Sequence, residues 1–350
     1  MCTVSTDHLE PLAVRAAAPA ELPELPADAG LTWRPLTPGD IPAWFALCEV
    51  VDDHDDANER VAKSELADRF KGAWHDPARD SVAGFDSDGN VRAYAWSVYR
   101  PVTEGTQAPV LFGAVHPDYR RRGLGRALLA WSEARGRQQL AAATVNLPAR
   151  IRVYLDEAHT EARRLAEAAG FTPIRWYVDM RRDLGVDLPA GHVPDGLRIE
   201  PYSRDRDEDV RVTHNESFAR DHWGSSPFDA ESWAVHVVGG EKFRPDWSFI
   251  AVEEATGRVV GYLMSGAYDQ DWEPQGFTEG WTDLVSVRRE WRGRGVAGAL
   301  LTAAMRAYAA GGMQYAGLDV DTDNPSGALG TYTRLGYERR QGSVLLTKEI

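Results

Sequence analysis

The stretch Leu31-Thr32-Trp33-Arg34-Pro35-Leu36 returns in pattern 166 residues later as Leu197-Arg198-Ile199-Glu200-Pro201-Tyr202. A repeat at a fixed offset constrains the fold more than local propensity does, because each copy must be able to build the same supersecondary unit. Three further landmarks recur in the same order. The strand-like Val91-Arg92-Ala93-Tyr94-Ala95-Trp96-Ser97, after Asp88-Gly89, matches Val259-Val260-Gly261-Tyr262-Leu263-Met264-Ser265, after Thr256-Gly257. An apolar strand, a basic glycine-bearing turn and a leucine-rich helical run span 115–129 and again 285–301. The segment 164–171, ending Gly170-Phe171, matches 332–337, ending Gly336-Tyr337: a helix end, its glycine cap and an aromatic entering a strand. Four landmarks in one order predict a duplicated domain, with copies over 31–183 and 197–350. A linker over 184–196 is marked by Pro189, Gly191, Pro194 and Gly196, and a proline-rich tail or strap fills 1–30. The element order within each copy predicts the α/β class, with a mixed, partly antiparallel sheet flanked by helices.

A formal charge of −14 argues against general nucleic-acid binding, which needs a basic surface. Two cysteines, Cys2 and Cys48, cannot build a disulfide framework or a thiolate metal site, and no metal is expected. The first residues include Asp7 and Glu10 ahead of any apolar run, unlike a secretion signal, and the apolar run 296–305 is too short to span a bilayer. The expectation is a cytoplasmic protein with no membrane partner, either a monomer or a homodimer.

The most informative copy of the turn is Arg292-Gly293-Arg294-Gly295-Val296-Ala297-Gly298. Glycines there allow close approach to the backbone, and the following helix N-terminus offers unpaired N–H groups, so a phosphorylated ligand is expected. Read alone, Gly293 to Gly298 is a G-x-G-x-x-G, with Asp319 on a later strand as a dinucleotide fingerprint would require. Its position late in the domain weighs against that reading, and so does the internal copy, where Arg121 and Arg126 replace Gly293 and Gly298. What the copies share is Arg120, Gly123 and Gly125 in the first and Arg292, Gly295 and Ala297 in the second.

That shared core resembles the R/Q-x-x-G-x-G/A motif of the GNAT acetyltransferases, and Tyr332-Thr333-Arg334-Leu335-Gly336-Tyr337 is similar to that family's Y-x-x-x-G-[FY] ending. The resemblance covers nearly everything after the tail and implies two tandem GNAT domains. It also implies acetyl-CoA as cofactor, held at Val285, Val287, Arg292, Gly293, Arg294, Gly295, Val296, Ala297 and Asn324 in the second domain. The first-domain counterparts are Val115, Arg120, Arg122, Gly123 and Gly125. The central strand, 281–287, is expected to carry a bulge and to splay from 316–320, freeing backbone groups for the pantetheine arm. Tyr332 matches the family's acid for the CoA sulfur. The family's glutamate position holds Trp281 here, which leaves Asp283, or Glu279 nearby, as the base.

A small-molecule amine is the expected acceptor, with Phe218, His222, Trp223 and Asp271 lining its pocket through aromatic and carboxylate contacts. The first domain has Ala166 opposite Tyr332 and no acid on its strand 110–115, so it is expected to keep the cradle without the chemistry. The two-domain layout is similar to that of the mycothiol synthases, which acetylate a cysteinyl amine, although 218–224 does not closely match their acceptor region. A noncatalytic acyl-CoA-binding module is the alternative from another class.

Overall fold

The computed structural model describes residues 9–57, 59–323 and 327–350. Two compact units divide it, one running to Trp176 and taking back Ser343–Ile350, the other Tyr177–Gly342. The first unit contains β1 (Thr32–Arg34), α1 (Ile41–Asp55), β2 (Ser81–Phe85), β3 (Val91–Val98), β4 (Val110–Val115), α2 (Leu124–Ala141), β5 (Arg150–Asp156) and α3 (Thr160–Ala168). Strand β6 (Thr172–Asp183) carries the chain into the second unit. There follow β7 (Leu197–Pro201), α4 (Asp207–Asp221), β8 (Phe249–Glu253), β9 (Val259–Gly266), α5 (Asp269–Gln275), β10 (Glu279–Val287), α6 (Val296–Ala310), β11 (Tyr315–Asp321) and α7 (Ala328–Arg334). Strand β12 (Glu338–Glu349) brings the chain back.

Within the first unit β1 to β4 are antiparallel neighbours and β4 lies parallel to β5. The far edge of β5 is covered by the end of β12, antiparallel from Ser343↔Asp156 to Glu349↔Arg150. The second unit repeats the plan: β7 to β10 are antiparallel, β10 and β11 parallel, and β11 is covered by the end of β6 from Tyr315↔Asp183 to Asp321↔Tyr177. Each unit therefore finishes its sheet with a strand from the other sequence repeat. The passages between units fall at Trp176/Tyr177 and Gly342/Ser343, inside strands, whereas the sequence pattern divides the repeats at 184–196.

Burial explains why the exchanged strands stay in place. Val344 and Leu346 of β12 are fully buried with Ile151, Leu140 and Phe171 in the first unit. Val178 and Met180 of β6 join Leu300, Met305 and Leu318 in the second. The tail expected over 1–30 is a strap from residue 9 onward: Leu12 and Ala16 are buried in the first unit's core, and Arg15 donates to the carbonyls of Leu147 and Ile350, each at 2.7 Å. Helix α6 packs on β10 through a face of Val296, Leu300, Ala304 and Tyr308. Gly280 lets that helix approach, since a Cβ there would stand 2.5 Å from the Tyr308 ring.

Candidate active site

Strand β10 is the second unit's central strand, and its pairing changes midway. Against β9, Thr282 faces Ser265 but Leu284 faces Met264, so Asp283 is the extra residue of a bulge. Against β11, pairing runs only from Glu279↔Tyr315 to Thr282↔Leu318. Beyond that point β11 continues along β6, while among the described residues no strand lies along the other edge of β10 from Leu284 onward. The two parallel strands thus open a cleft beside the bulge, with the backbone edge of 284–286 along one wall.

The glycine-rich turn sits where β10 ends. Gly293 and Gly295 both take positive φ, 73° and 91°, and Gly295 caps α6. Added Cβ atoms at Gly293, Gly295 and Gly298 would meet nothing within 4 Å, so open space faces all three. Among the described residues no group accepts from the N–H of Gly293, Arg294 or Gly295, or from the first turn of α6, residues 296–298. Six unpaired donors at the positive end of a fifteen-residue helix, facing open space, fit a pyrophosphate.

The arginine that defines the motif does a different job. Arg292 Nε donates to the Val287 carbonyl at 2.9 Å, and its guanidinium lies 2.7 Å from the Asp221 carboxylate at the end of α4. The side chain pins the turn to strand and helix, leaving the backbone to face a ligand. In the first unit Arg120 Nε donates to Val115 at 3.0 Å, and its fork grips Asp55 at 2.6 and 2.7 Å. Desolvation pushes the Asp55 carboxyl up, but the Arg120 hydrogen bonds outweigh it and the net shift is downward. Asp55 and Asp221 escaped the motif reading, yet they too stand 166 residues apart, the offset of the repeat itself. Arg294 and Arg122 lie over the aromatic three residues before each, Trp291 at 4.8 Å and Tyr119 at 5.1 Å.

Three titratable groups border the cleft. Tyr332 on α7 is buried in the core that holds Leu318 and Val320, its ring 6.0 Å from that of Tyr337. Burial, and then the nearby Asp319 charge, raise its phenol above the usual tyrosine range, so it stays protonated. Among the described residues nothing hydrogen-bonds its hydroxyl. Asp319 lies between Leu318 and Val320 and so projects to the opposite sheet face, shared with Gly317 and Trp281. Its side chain is exposed to solvent, and the protein groups crowded around it still raise its carboxyl by desolvation. Asp283 is half-buried on that same face, over Gly266, and accepts from the Tyr268 hydroxyl at 2.7 Å. Glu279 is buried and engaged by Arg181 at 2.9 Å, which commits it to an ion pair instead of proton transfer.

Phe218 and His222 are brought together at the end of α4, their rings stacked 4.4 Å apart, and the stack continues through His214 to Tyr262, whose hydroxyl lies 2.7 Å from His214 Nδ1. Trp223 follows in the next turn, half-buried. Asp271 stands on another element, the first turn of α5, where its N–H donates to the Tyr268 carbonyl at 3.0 Å. Asn324 lies outside the described residues.

The first unit keeps the plan and lacks several of its working parts. Strand β4 also parts from β5, pairing only at Val110↔Arg152, but its register with β3 is continuous and contains no bulge. At Arg121, opposite Gly293, a non-glycine holds φ 63°, and Leu165 of α3 stands 3.3 Å from where a Cβ of Gly125 would be. Ala166 is buried where the second unit has Tyr332. Among the described residues there is no cluster suited to a metal, and no helix is long and apolar enough to cross a membrane.

Two sequence profiles match the chain, the acetyltransferase (GNAT) family over 47–171 and the acetyltransferase (GNAT) domain over 245–339. A mycothiol acetyltransferase of Thermobispora bispora is 30% identical over 315 residues, 87% of this chain and 94% of that protein. One of Streptomyces avermitilis is 29% identical over 256 residues, 71% of this chain and 74% of that protein. Among solved structures, a GCN5-related N-acetyltransferase from Sphaerobacter thermophilus superposes with a TM-score of 0.71 at 26% identity, over 93% of this chain and 97% of that one. A tandem GNAT protein from the clavulanic acid biosynthesis pathway shares the fold, with a TM-score of 0.65 at 19% identity over 91% and 98% of the two chains. A splayed central strand ending in a glycine-rich helix start, present in two copies and matched along nearly the whole length by such relatives, leads to one conclusion: this chain belongs to the GCN5-related N-acetyltransferase (GNAT) family and is a tandem-domain acyltransferase.

Proposed function

We propose that the protein transfers an acetyl group from acetyl-CoA to the amine of a small molecule, with the repeat 197–350 as the catalytic half and 31–183 as the noncatalytic one. The observation that carries this reading is the asymmetry of the central strands: β10 has both splay and bulge beside Tyr332, whereas β4 has the splay alone beside Ala166. Acetyl-CoA supplies a thioester, whose carbonyl carbon the amine attacks. The N–H groups of 293–298 hold the pyrophosphate, and the exposed edge of 284–286 binds the pantetheine and polarises the carbonyl.

Proton traffic follows from the titrations. A carboxyl raised by desolvation is a better base near neutrality than an ordinary aspartate, so Asp319 receives the proton lost by the attacking nitrogen. Asp283, which accepts from Tyr268, orients the acceptor. Tyr332, held neutral, donates its proton to the sulfur as the C–S bond breaks. Phe218, His222 and Trp223 form the apolar wall of the acceptor pocket. The relatives' name favours one acceptor in particular, the amine of a mycothiol-type thiol precursor. Mass spectrometry of reactions with acetyl-CoA and an amine panel including a cysteinyl amine tests this: one acetyl group gained on nitrogen supports it, and no acetylated product with any amine refutes it.

A further inference from the structure

Downstream of the bulge the two units pair their central strands alike. Leu284 faces Met264 in the second as Phe112 faces Trp96 in the first, and these are matching positions of the repeat. One step upstream they part. In the first unit Ser97 faces Leu111; in the second, the matching Ser265 passes over Asp283, the counterpart of Leu111, and faces Thr282. Residues directly opposite in a sheet point to the same face. Ser265 is buried and its hydroxyl meets Tyr308 of α6. Without the bulge, therefore, Asp283 would stand across from Ser265 and aim its carboxylate under α6 instead of at the cleft.

What holds Thr282 in that place is a set of hydroxyls. The Ser265 backbone is engaged on the side away from β10: its N–H donates to Ser248 Oγ at 3.0 Å and its carbonyl accepts from Arg244 at 2.8 Å. The Thr282–Ser265 pair is thus of the non-hydrogen-bonded type, where side chains stand closest. Tyr308 joins them from α6. Its hydroxyl lies 2.7 Å from Ser265 Oγ, 3.1 Å from Thr282 Oγ1 and 3.2 Å from the Trp281 carbonyl. Ser265 gives its own proton to the Trp247 carbonyl at 2.8 Å, so Tyr308 donates to Ser265 and Thr282 donates to Tyr308. All three side chains are buried, and every hydroxyl proton has an acceptor. The Trp247 ring stands edge-on to that of Tyr308, centres 5.4 Å apart.

The first unit lacks this cluster. Counting along the helices from Gly123 and Gly295, Tyr308 matches Gly136, and Thr282 matches Val110. A Cβ at Gly136 would already touch Pro109 Cβ and Ser97 Oγ, each at 3.5 Å, so no ring fits there. Ser97 Oγ turns instead to Gln139 at 2.6 Å. Bulge and hydroxyl cluster are present together in one unit and missing together in the other.

We propose that Tyr308 is a positioning residue for acyl transfer: its hydroxyl, gathering Thr282 and Ser265 beneath β10, selects the bulged register and so aims Asp283 and the backbone edge of 284–286 into the cleft. The inference rests on the reading that 197–350 is the catalytic half. Tyr308 is itself fully buried beneath the strand and acts only through it.

The test uses the full chain and acetyl-CoA carrying carbon-13 in its thioester carbonyl. Infrared difference spectroscopy of the bound probe should show the carbonyl band displaced to lower frequency in the wild type, because backbone N–H groups of the freed edge polarise it. In Tyr308→Phe that displacement should largely vanish. With the fastest amine of the panel, kcat should fall about ten- to a hundredfold while KM for acetyl-CoA stays within about twofold, since the glycine-rich turn is untouched. Thr282→Val should reproduce both effects, the double variant should be no worse than either single one, and Thr282→Ser, which keeps the hydroxyl, should recover most of kcat. The two Thr282 variants carry the same test should Tyr308→Phe not fold. If the wild type acetylates no amine, or Tyr332→Phe leaves kcat intact, the catalytic reading fails and the infrared band alone judges Tyr308. A displaced band absent from the wild type, a band still displaced in folded Tyr308→Phe, an unchanged kcat, or a loss of kcat matched by KM and not recovered in Thr282→Ser would each overturn the proposal.

Discussion

Tyr332→Phe removes one oxygen from the cleft and leaves the ring packed near Tyr337. Because nothing among the described residues bonds that hydroxyl, its loss orphans no partner, and stability should change by less than about 1 kcal/mol. The kinetic effect should be far larger. A positioned general acid contributes about 10²–10⁴-fold, so the barrier should rise by roughly 3–5 kcal/mol, seen in kcat. KM for acetyl-CoA should hold, since the six donors of the glycine-rich turn are untouched. Thiol release from acetyl-CoA with a saturating amine, together with a melting curve, reads both effects at once. Unchanged kcat in a folded Tyr332→Phe protein would refute the acid role, and if Arg120→Ala then abolished turnover, the catalytic half would be the first.

Asp319→Asn should lower kcat about 10²-fold and remove the acidic limb of the pH–rate profile. In the wild type that limb should fall above the ordinary aspartate range, because desolvation raises this carboxyl; a limb at the ordinary aspartate value that is unchanged in Asp319→Asn would contradict the assignment. Asp221→Ala frees Arg292 and loosens the turn, so KM for acetyl-CoA should rise by about tenfold in steady-state kinetics, with a stability cost of only ~1 kcal/mol because both side chains are partly exposed. Leu346→Ala should cost about 2–5 kcal/mol in the first unit, seen by calorimetry, although this residue lies at the far end of the sequence from that unit's other strands.

Which parts were legible follows from how far each cause reaches along the chain. The glycine-rich turn could be read directly, since positive φ at Gly293 and Gly295 and a free helix start are properties of a few neighbouring residues. The bulge at Asp283 came from family resemblance, because nothing local distinguishes a bulged residue from its neighbours. Asp319 was visible only as a strand acid that a dinucleotide fingerprint would require. Its place depends on where β11 leaves β10, a fact about two segments thirty-odd residues apart. The side-chain partners of Arg120 and Arg292 were hidden for a related reason: the carboxylates that engage them, Asp55 and Asp221, come from separate helices. Pairing partners of β6 and β12 were equally hidden, since an alternating strand looks the same whichever edge it covers.

The exchanged strands set the order in which the protein can be made. During synthesis the first unit has all its other strands long before Ser343–Ile350 exist, so the edge of β5 stays bare and Ile151 uncovered until every residue of the second unit has emerged. Neither half is then a module that finishes alone, and a fragment ending at residue 183 should expose a sticky edge however well its own sequence is patterned. Duplication here has yielded a chain whose two halves ripen together, late, in one closing step.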